Sequence, residues 1–248
     1  MLSSTHLFYL LNTGIVCTVF LLTLFLLRCR PLNKFFVGAL AMATLILHYI
    51  VDFRDFLHST TATVTLSAEM VIPIFPCHIC MWLLILSAML LDKKGPIATV
   101  IKDMTFWGGV ICGAIGTIFN IDFIATPDLS DLYILKGMLS HTTMVCGCML
   151  LFVGGFAKIR VWRGLAASAF GIAFFFSYGT FVNRLFAHFD LPACNAMFLL
   201  EIPEGYPEWL STRWIALTFI TVVFLVCVIF EQLFVKKEKR WYRIFCKK

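Results

Sequence analysis

The chain has 248 residues, of which 60% are hydrophobic and only 14% are charged, and its mean hydropathy is +0.91. About a quarter of the residues of a soluble domain are charged, so this composition excludes a water-soluble globule and predicts that lipid covers much of the exterior. The formal net charge of +6 does not indicate a nucleic-acid-binding protein, because the basic residues lie between hydrophobic runs and form no groove-like patch.

Seven apolar runs follow one another along the chain. A transmembrane helix takes about 20 residues, so the length allows seven spans with short connections and no separate soluble domain. The runs are approximately Leu7–Leu27, Phe35–Val51, Val71–Leu91, Val100–Ile121, Leu132–Phe156, Leu165–Phe186 and Trp214–Phe234. They predict an all-α membrane protein, a seven-transmembrane-helix bundle in which residues 1–248 form one domain and residues 235–248 form a basic tail.

The charges of the connections alternate along the chain. The connections after the first, third and fifth runs and the tail are basic, and they include Arg28, Lys93, Lys158 and Lys236. The remaining connections hold mostly Asp and Glu. Because cytoplasmic connections of membrane proteins are enriched in Lys and Arg, the pattern predicts an external N-terminus and a cytoplasmic C-terminus.

Polar side chains inside the runs concentrate in the half of the bundle that is predicted to be external. Such groups are costly in lipid and usually face the interior of a bundle, where they mark function. The set comprises His48, Asp52, Cys77, His78, Asn120, Asp122, His141, Asn183 and Arg184. This asymmetry predicts one polar cavity that opens outward.

The segment from Pro73 to Cys80 carries the strongest local signal. Pro73 and Pro76 each remove a helical hydrogen-bond donor, and broken helix at membrane depth is tolerated mainly where it lines a cavity or is buried in protein. Cys77 and His78 are neighbours, hence about 100° apart around a helix, so they do not readily pair with each other. If Cys77 is a nucleophile, its base comes from another helix, and His141 is the deepest available imidazole.

Structural explanations exist for the same residues. A cysteine on a transmembrane helix commonly serves packing, and His141 could simply bond across the bundle. The Cys-His-x-Cys cluster lacks the second ligand pair of a zinc site, so we predict no metal. Asp128 and Asn195 lie in predicted loops, where turn formation alone would account for them.

Four segments resemble motifs of the transmembrane protein 164 family, which includes the bacterial YwaF-type integral membrane proteins. In this family the motifs are Pro-Cys-His, a Pro-Asp-Leu loop followed by a histidine, a polar residue ending the next helix, and an Asn-Tyr-Met-x-Leu…Pro loop. The corresponding segments are Pro76-Cys77-His78, Thr126-Pro127-Asp128-Leu129-Ser130 with Ser140-His141, Asn183, and Asn195-Ala196-Met197-Phe198-Leu199 with Pro203. Ala196 departs from the usual aromatic residue.

The resemblance implies a seven-helix fold and an acyltransferase that acts on phospholipids. Related hydrolases of similar architecture act on fatty-acid esters of hydroxy fatty acids, so the resemblance leaves acyl hydrolysis as a second activity. It implies Cys77 as the nucleophile and His141 as the base. The supporting or substrate-binding residues that we carry over are His78, Glu69, Asn183, Asp128 and Asn195. We expect membrane lipids as partners, no nucleic acid and no cofactor.

The alternative hypothesis is a non-enzymatic seven-helix protein, receptor-like or transporter-like, whose outer cavity binds a small ligand. The third run ends in Leu91-Asp92-Lys93-Lys94, which differs from the Asp-Arg-Tyr motif of G-protein-coupled receptors, and the seventh run has no Asn-Pro-x-x-Tyr. A transporter would favour an inverted repeat or paired broken helices, and the sequence shows neither.

Overall fold

The computed structural model describes residues 3–58, 72–191, 194–201 and 212–244, and this part of the chain contains helices and connections but no strand. Its eight α-helices are α1 (Ser4–Leu27), α2 (Arg30–His58), α3 (Pro76–Met89), α4 (Pro96–Ile118), α5 (Ile121–Ala125), α6 (Leu132–Val153), α7 (Val161–His188) and α8 (Thr212–Phe234). Short 3₁₀ helices span Ala196–Phe198, Lys237–Lys239 and Trp241–Ile244.

Three of the helices begin at a residue whose side chain caps the first turn. Ser3 accepts a hydrogen bond from the backbone N–H of His6 at the start of α1. Asn120 caps α5 and Asp131 caps α6 in the same way. These side-chain oxygens satisfy N–H groups that have no partner within the helix, which explains why the chain enters each helix at that residue.

Six of the helical segments are long and apolar enough to cross a membrane: α1, α2, α4 together with α5, α6, α7 and α8. The apolar helix α3 has only 14 residues, which corresponds to about 21 Å. The chain is therefore a multi-pass α-helical membrane protein.

The third helix begins later than the sequence pattern predicts. Residues 72–75 are not helical, and α3 starts at Pro76 instead of near Val71. Pro76 occupies the first helical position, where the missing N–H costs nothing, and proline disfavours a helical conformation in the residue before it. The predicted start of the third helix near Val71 is therefore wrong, and Cys77 and His78 lie in the first turn of α3.

Helix α4 lies at the centre of the bundle, in contact with α3, α6 and α7, while α2 packs on α6 and α3. Its glycines allow the close approach. A Cβ at Gly109 would overlap the Cys148 Sγ, and a Cβ at Gly113 would lie 2.6 Å from Val145 Cγ2. Small residues at such interfaces bring helix backbones together, which is how helices associate in a membrane.

The basic connections meet at one end of the bundle. Lys34 pairs with Asp92 at 2.6 Å, which joins the start of α2 to the connection after α3. Lys102 lies inside an apolar run of the sequence, yet its Nζ donates to the carbonyl of Lys93 at 2.7 Å. This clustering of the basic connections at one end of the bundle agrees with the predicted alternation of charge along the successive connections.

Asp103 is the second charge inside the same apolar run, and it is expected to hold this end of the bundle together. It is 2% exposed and accepts two hydrogen bonds from the Arg163 guanidinium, at 2.6 and 2.7 Å, and one from the Lys158 N–H. Asp103→Ala leaves Arg163 without its partner, so we expect the free energy of unfolding to fall by about 3–5 kcal/mol. Unfolding of the purified protein in mixed micelles measures this. Asp103→Leu combined with Arg163→Met should recover most of the loss, and an undiminished Asp103→Ala variant contradicts the assignment.

Candidate functional site

A polar cavity of about 330 Å³ lies at the end of the bundle opposite the basic connections. Six of the polar residues that stand out in the sequence line it, together with Lys136; the six are His48, Asp52, His78, Asn120, Asp122 and His141. They come from α2, α3, α6 and the α4–α5 junction. The chain thus gathers most of its intramembrane polar groups in one place, as their cost in lipid predicts.

Three imidazoles share this cavity. The His48 and His78 rings lie 4.3 Å apart, centroid to centroid, and both interact electrostatically with His141. Beside them Lys136 Nζ pairs with Asp52 Oδ2 at 2.6 Å. Among the described residues, no group of three or more His, Cys, Asp or Glu has an arrangement that could hold a metal ion.

His141 is oriented by its own helix and by a glycine of α4. Its Nδ1 lies 2.7 Å from the carbonyl oxygen of Gly137. Because a carbonyl can only accept, Nδ1 carries the proton, and in the neutral ring Nε2 is the acceptor. A Cβ at Gly116 would lie 2.5 Å from that Nε2, so the glycine makes room for the ring. A fixed tautomer with an unprotonated Nε2 is what a general base needs.

Cys77 is the second residue of α3 and is partly buried. The helix has no side-chain cap at Phe75. The thiol lies in the first turn of the helix, where the backbone N–H groups have no partner within the helix. The N-terminus of a helix carries partial positive charge, and reactive cysteines are often found there because it stabilises the thiolate.

An apolar groove of about 130 Å³ lies on the other side of the start of α3. Pro76, Cys112 of α4, Phe175 of α7 and Phe219 of α8 are among the residues that line it. Cys77 therefore stands between a residue of the groove, Pro76, and a residue of the polar cavity, His78.

The start of α3 and the His141 ring both lie near α4. Pro76, the residue before Cys77, lines the same groove as Cys112 of α4, and the His141 ring packs on Gly116. Those two α4 positions are one turn apart, about 6 Å along the axis. The start of α3, which carries Cys77, and the His141 ring thus lie near successive turns of α4, and no hydrogen bond joins Cys77 to His141 in the described part of the chain.

Asn183 does not line the polar cavity. Its Oδ1 accepts a hydrogen bond from the Ala196 N–H at 2.8 Å and another from the Cys194 thiol at 3.4 Å. Asn195 has a similar role, because its Oδ1 accepts from the Leu200 N–H at 2.9 Å and its Nδ2 donates to the Glu201 carbonyl at 2.6 Å. Both residues fix the connection over residues 194–201.

That connection in turn holds the start of α3. The Met197 N–H donates to the Ile74 carbonyl at 2.7 Å, and the Phe198 ring stacks on Phe75 at 5.2 Å. Met197 and Phe198 have positive φ values of 57° and 54°. Such values are uncommon for residues other than glycine, so the surrounding contacts determine this conformation.

Asp128 is a turn residue in the connection between α5 and α6. It accepts hydrogen bonds from the Ser130 hydroxyl and N–H, at 2.7 and 2.8 Å, and these hold the pKa of the carboxyl below its usual range. The predicted supporting residue Glu69 lies outside the described residues.

Lys136, Gly116 and Cys112 belong to the site but do not stand out as site residues in the sequence pattern. Of these three residues, Lys136 was the one that the sequence could have identified, because an ionisable residue inside a predicted span is by itself a functional candidate. Gly116 and Cys112 are small residues in an apolar run, and only the packing of α4 against α3 and α6 brings them to the site.

The comparison with protein families bears on the whole chain. The sequence model of the TMEM164 family matches residues 1–244. No curated protein and no solved structure matches the chain. With a family match over nearly its full length and a multi-pass helical structure, the chain belongs to the TMEM164 family.

Proposed function

We propose that this protein is an intramembrane acyltransferase, or acyl hydrolase, acting on ester-linked membrane lipids with Cys77 as nucleophile and His141 as base. One observation supports the proposal: Pro76, the residue before Cys77, lines the apolar groove, and His78, the residue after it, lines the polar cavity. A phospholipid has a polar headgroup and an apolar chain joined by an ester. A lipid with its chain in the groove and its headgroup in the cavity has its ester beside the Cys77 thiol.

The first half-reaction transfers the acyl group to the protein. His141 Nε2 takes the thiol proton, and the thiolate attacks the ester carbonyl to form a tetrahedral intermediate. We assign the N–H groups of Cys77 and His78, which lie in the first turn of α3, as the donors to the developing oxyanion. The intermediate collapses to a Cys77 thioester, and the departing alkoxide takes the proton from the His141 imidazolium.

The second half-reaction returns the thiol. His141 removes a proton from an incoming hydroxyl, whose oxygen attacks the thioester carbonyl, and the thiolate leaves and regains that proton. A lysophospholipid hydroxyl gives acyl transfer, and water gives hydrolysis. Cys77 lies on α3 and His141 on α6, and no hydrogen bond joins them in the described part of the chain, so the reaction requires a modest closure or one bridging water between them.

The orientation of the protein in the membrane is part of the same proposal. We assign seven spans, with α3 as the third, and place the polar cavity on the outer side and the basic tail in the cytoplasm, because Lys and Arg accumulate in cytoplasmic connections. Tags at residue 1 and residue 248 should then be accessible from opposite sides, and accessibility from the same side would disprove the seven-span arrangement.

Detection of the acyl-enzyme tests the activity. Purified full-length protein is incubated with phospholipids that carry an alkyne-labelled acyl chain. We expect the label on the Cys77 peptide by mass spectrometry, its release by hydroxylamine, and labelled lipid or fatty acid as product. Cys80→Ala, the same change one turn further along α3, is the matched control and should keep the label. Lipid that binds without label or product, in every form tested, would instead favour a ligand-binding protein.

A further inference from the structure

A second cavity, of about 340 Å³, lies at the basic end of the bundle, away from Cys77 and His141. It is bounded by the start of α7 and by the residues that follow α8. Five cations and two acids line it, for a formal charge of +3; they are Arg160, Arg163, Lys239, Arg240 and Arg243 with Glu231 and Glu238.

Glu231, in the last turns of α8, builds the wall of this cavity. It is 1% exposed, and its Oε1 accepts a hydrogen bond from the Val161 N–H at 2.8 Å and lies 3.2 Å from Arg160 Nε. Its Oε2 accepts from the Trp241 N–H, also at 2.8 Å. One buried carboxylate therefore ties the start of α7 to the segment after α8.

The segment after α8 is folded against the bundle as far as residue 244. Arg240 Nη1 donates to Gln232 Oε1 at 2.7 Å, which turns the chain back along α8. The Trp241 ring lies 6.4 Å from Trp162 and 6.2 Å from Phe224. The sequence predicts only a basic tail at 235–248, whereas the residues of this tail up to 244 pack against the bundle.

Part of the positive charge in this cavity is not neutralised. Arg163 is paired with Asp103, and Arg160 with Glu231. Within residues 3–58, 72–191, 194–201 and 212–244, no carboxylate lies within ion-pair distance of the three remaining cations, which are Lys239, Arg240 and Arg243. Lys239 and Arg243 have exposed side chains, so they are available to an anion.

We propose that this cavity binds the phosphate of an anionic phospholipid. Guanidinium and ammonium groups are the side chains that bind phosphate oxygens. Trp162 and Trp241 flank the cavity, and tryptophan is enriched at the depth of lipid headgroups. Leu233 and Phe234, in the last turn of α8, are 69% and 72% exposed and provide apolar surface for the acyl chains. A soluble phosphate would have no use for that apolar surface.

Lipid binding to the full-length protein tests the proposal. Native mass spectrometry measures the affinity for phosphatidylserine and for phosphatidylcholine, with and without excess inorganic phosphate. We expect a preference for phosphatidylserine that Lys239→Gln/Arg243→Gln weakens by roughly 30-fold, as removal of two basic residues near an anionic lipid surface should. Each single substitution should give an intermediate loss. Both side chains are exposed, so the fold should persist, and the melting temperature checks this.

Lys93→Gln/Lys94→Gln is the matched control, because it removes the same charge from the same end of the bundle outside the cavity. This variant should keep its affinity for phosphatidylserine. If the two double variants lose affinity for phosphatidylserine to the same degree, the preference reflects general attraction between the lipid and the basic surface. That result would overturn the proposal. Equal affinities of the unmodified protein for phosphatidylcholine and phosphatidylserine would also overturn the proposal. Displacement of phosphatidylserine by inorganic phosphate would identify a soluble anion as the ligand, also against the proposal.

Discussion

Replacing Cys77 by alanine is expected to abolish acyl turnover while leaving the protein folded. In the proposed mechanism the Cys77 sulfur forms the bond to the acyl carbon, so no other group replaces it in that step. The side chain is small, partly buried and at the start of a helix, so its truncation removes little packing. Release of labelled fatty acid and formation of labelled lipid by the purified variant, alongside its melting temperature, give the two measurements.

Two further substitutions separate the nucleophile from a merely structural thiol. Cys77→Ser should be nearly as inactive as Cys77→Ala, because a hydroxyl is far less acidic than a thiol and His141 is a weak base. Cys80→Ala removes a fully buried thiol from the same helix and should retain turnover even if it lowers the melting temperature. A fully active Cys77→Ala variant would exclude the assignment.

Much of the architecture follows from patterns that the sequence displays directly. The apolar runs predict the helical membrane fold, because backbone groups in lipid must bond within their own segment. The site follows partly from the same rule: His48, His78 and His141 are far apart in the sequence, yet each is costly in lipid, and they meet in one cavity. Because each imidazole is costly in contact with lipid, all three are predicted to face the interior of the bundle. Their positions along the predicted spans further place them in the same half of the bundle.

The roles of individual polar residues were harder to predict, because they depend on partners that are distant in the sequence. Asn183 is predicted as a substrate-binding residue near the end of its helix, but its Oδ1 accepts a hydrogen bond from the backbone N–H of Ala196. Glu231 looks like an isolated acid near the end of α8, and only the fold shows that it joins Val161 to Trp241. A single sequence indicates that such groups require partners without indicating which ones.

The start of α3 was mispredicted for a different reason. The apolar run extends to Val71, and hydropathy does not distinguish a helix from an extended segment that is equally apolar. The backbone chemistry of Pro73 and Pro76 decides the matter, since proline is favoured at the first helical position and not within a helix. The correction matters for function, because it moves Cys77 from the interior of a predicted helix to the first turn of α3, where backbone N–H groups are free of partners within the helix.

His141→Ala is expected to lower turnover by roughly 10²-fold or more, in line with typical contributions of a general base. Without the base, both activation of the thiol and deprotonation of the incoming hydroxyl slow down. If attack on the thioester slows more than its formation, the labelled thioester on Cys77 persists longer than in the unmodified protein. Hydroxylamine then releases the label. The time course of that label, followed by mass spectrometry together with product formation, measures both steps.

The control has to account for the loss of a buried imidazole. His6 is fully buried, and its Nε2 lies 3.0 Å from the carbonyl oxygen of Thr117 on α4, much as His141 bonds a carbonyl of its own helix. His6→Ala should therefore lower stability to a comparable degree and leave the chemistry at Cys77 intact. Imidazole added to the buffer should restore part of the turnover of His141→Ala, because it fits the space left over Gly116 and offers the same basic nitrogen. Equal losses of turnover in the two variants, with no effect of imidazole, would mean that His141 supports the bundle and does not act as the base.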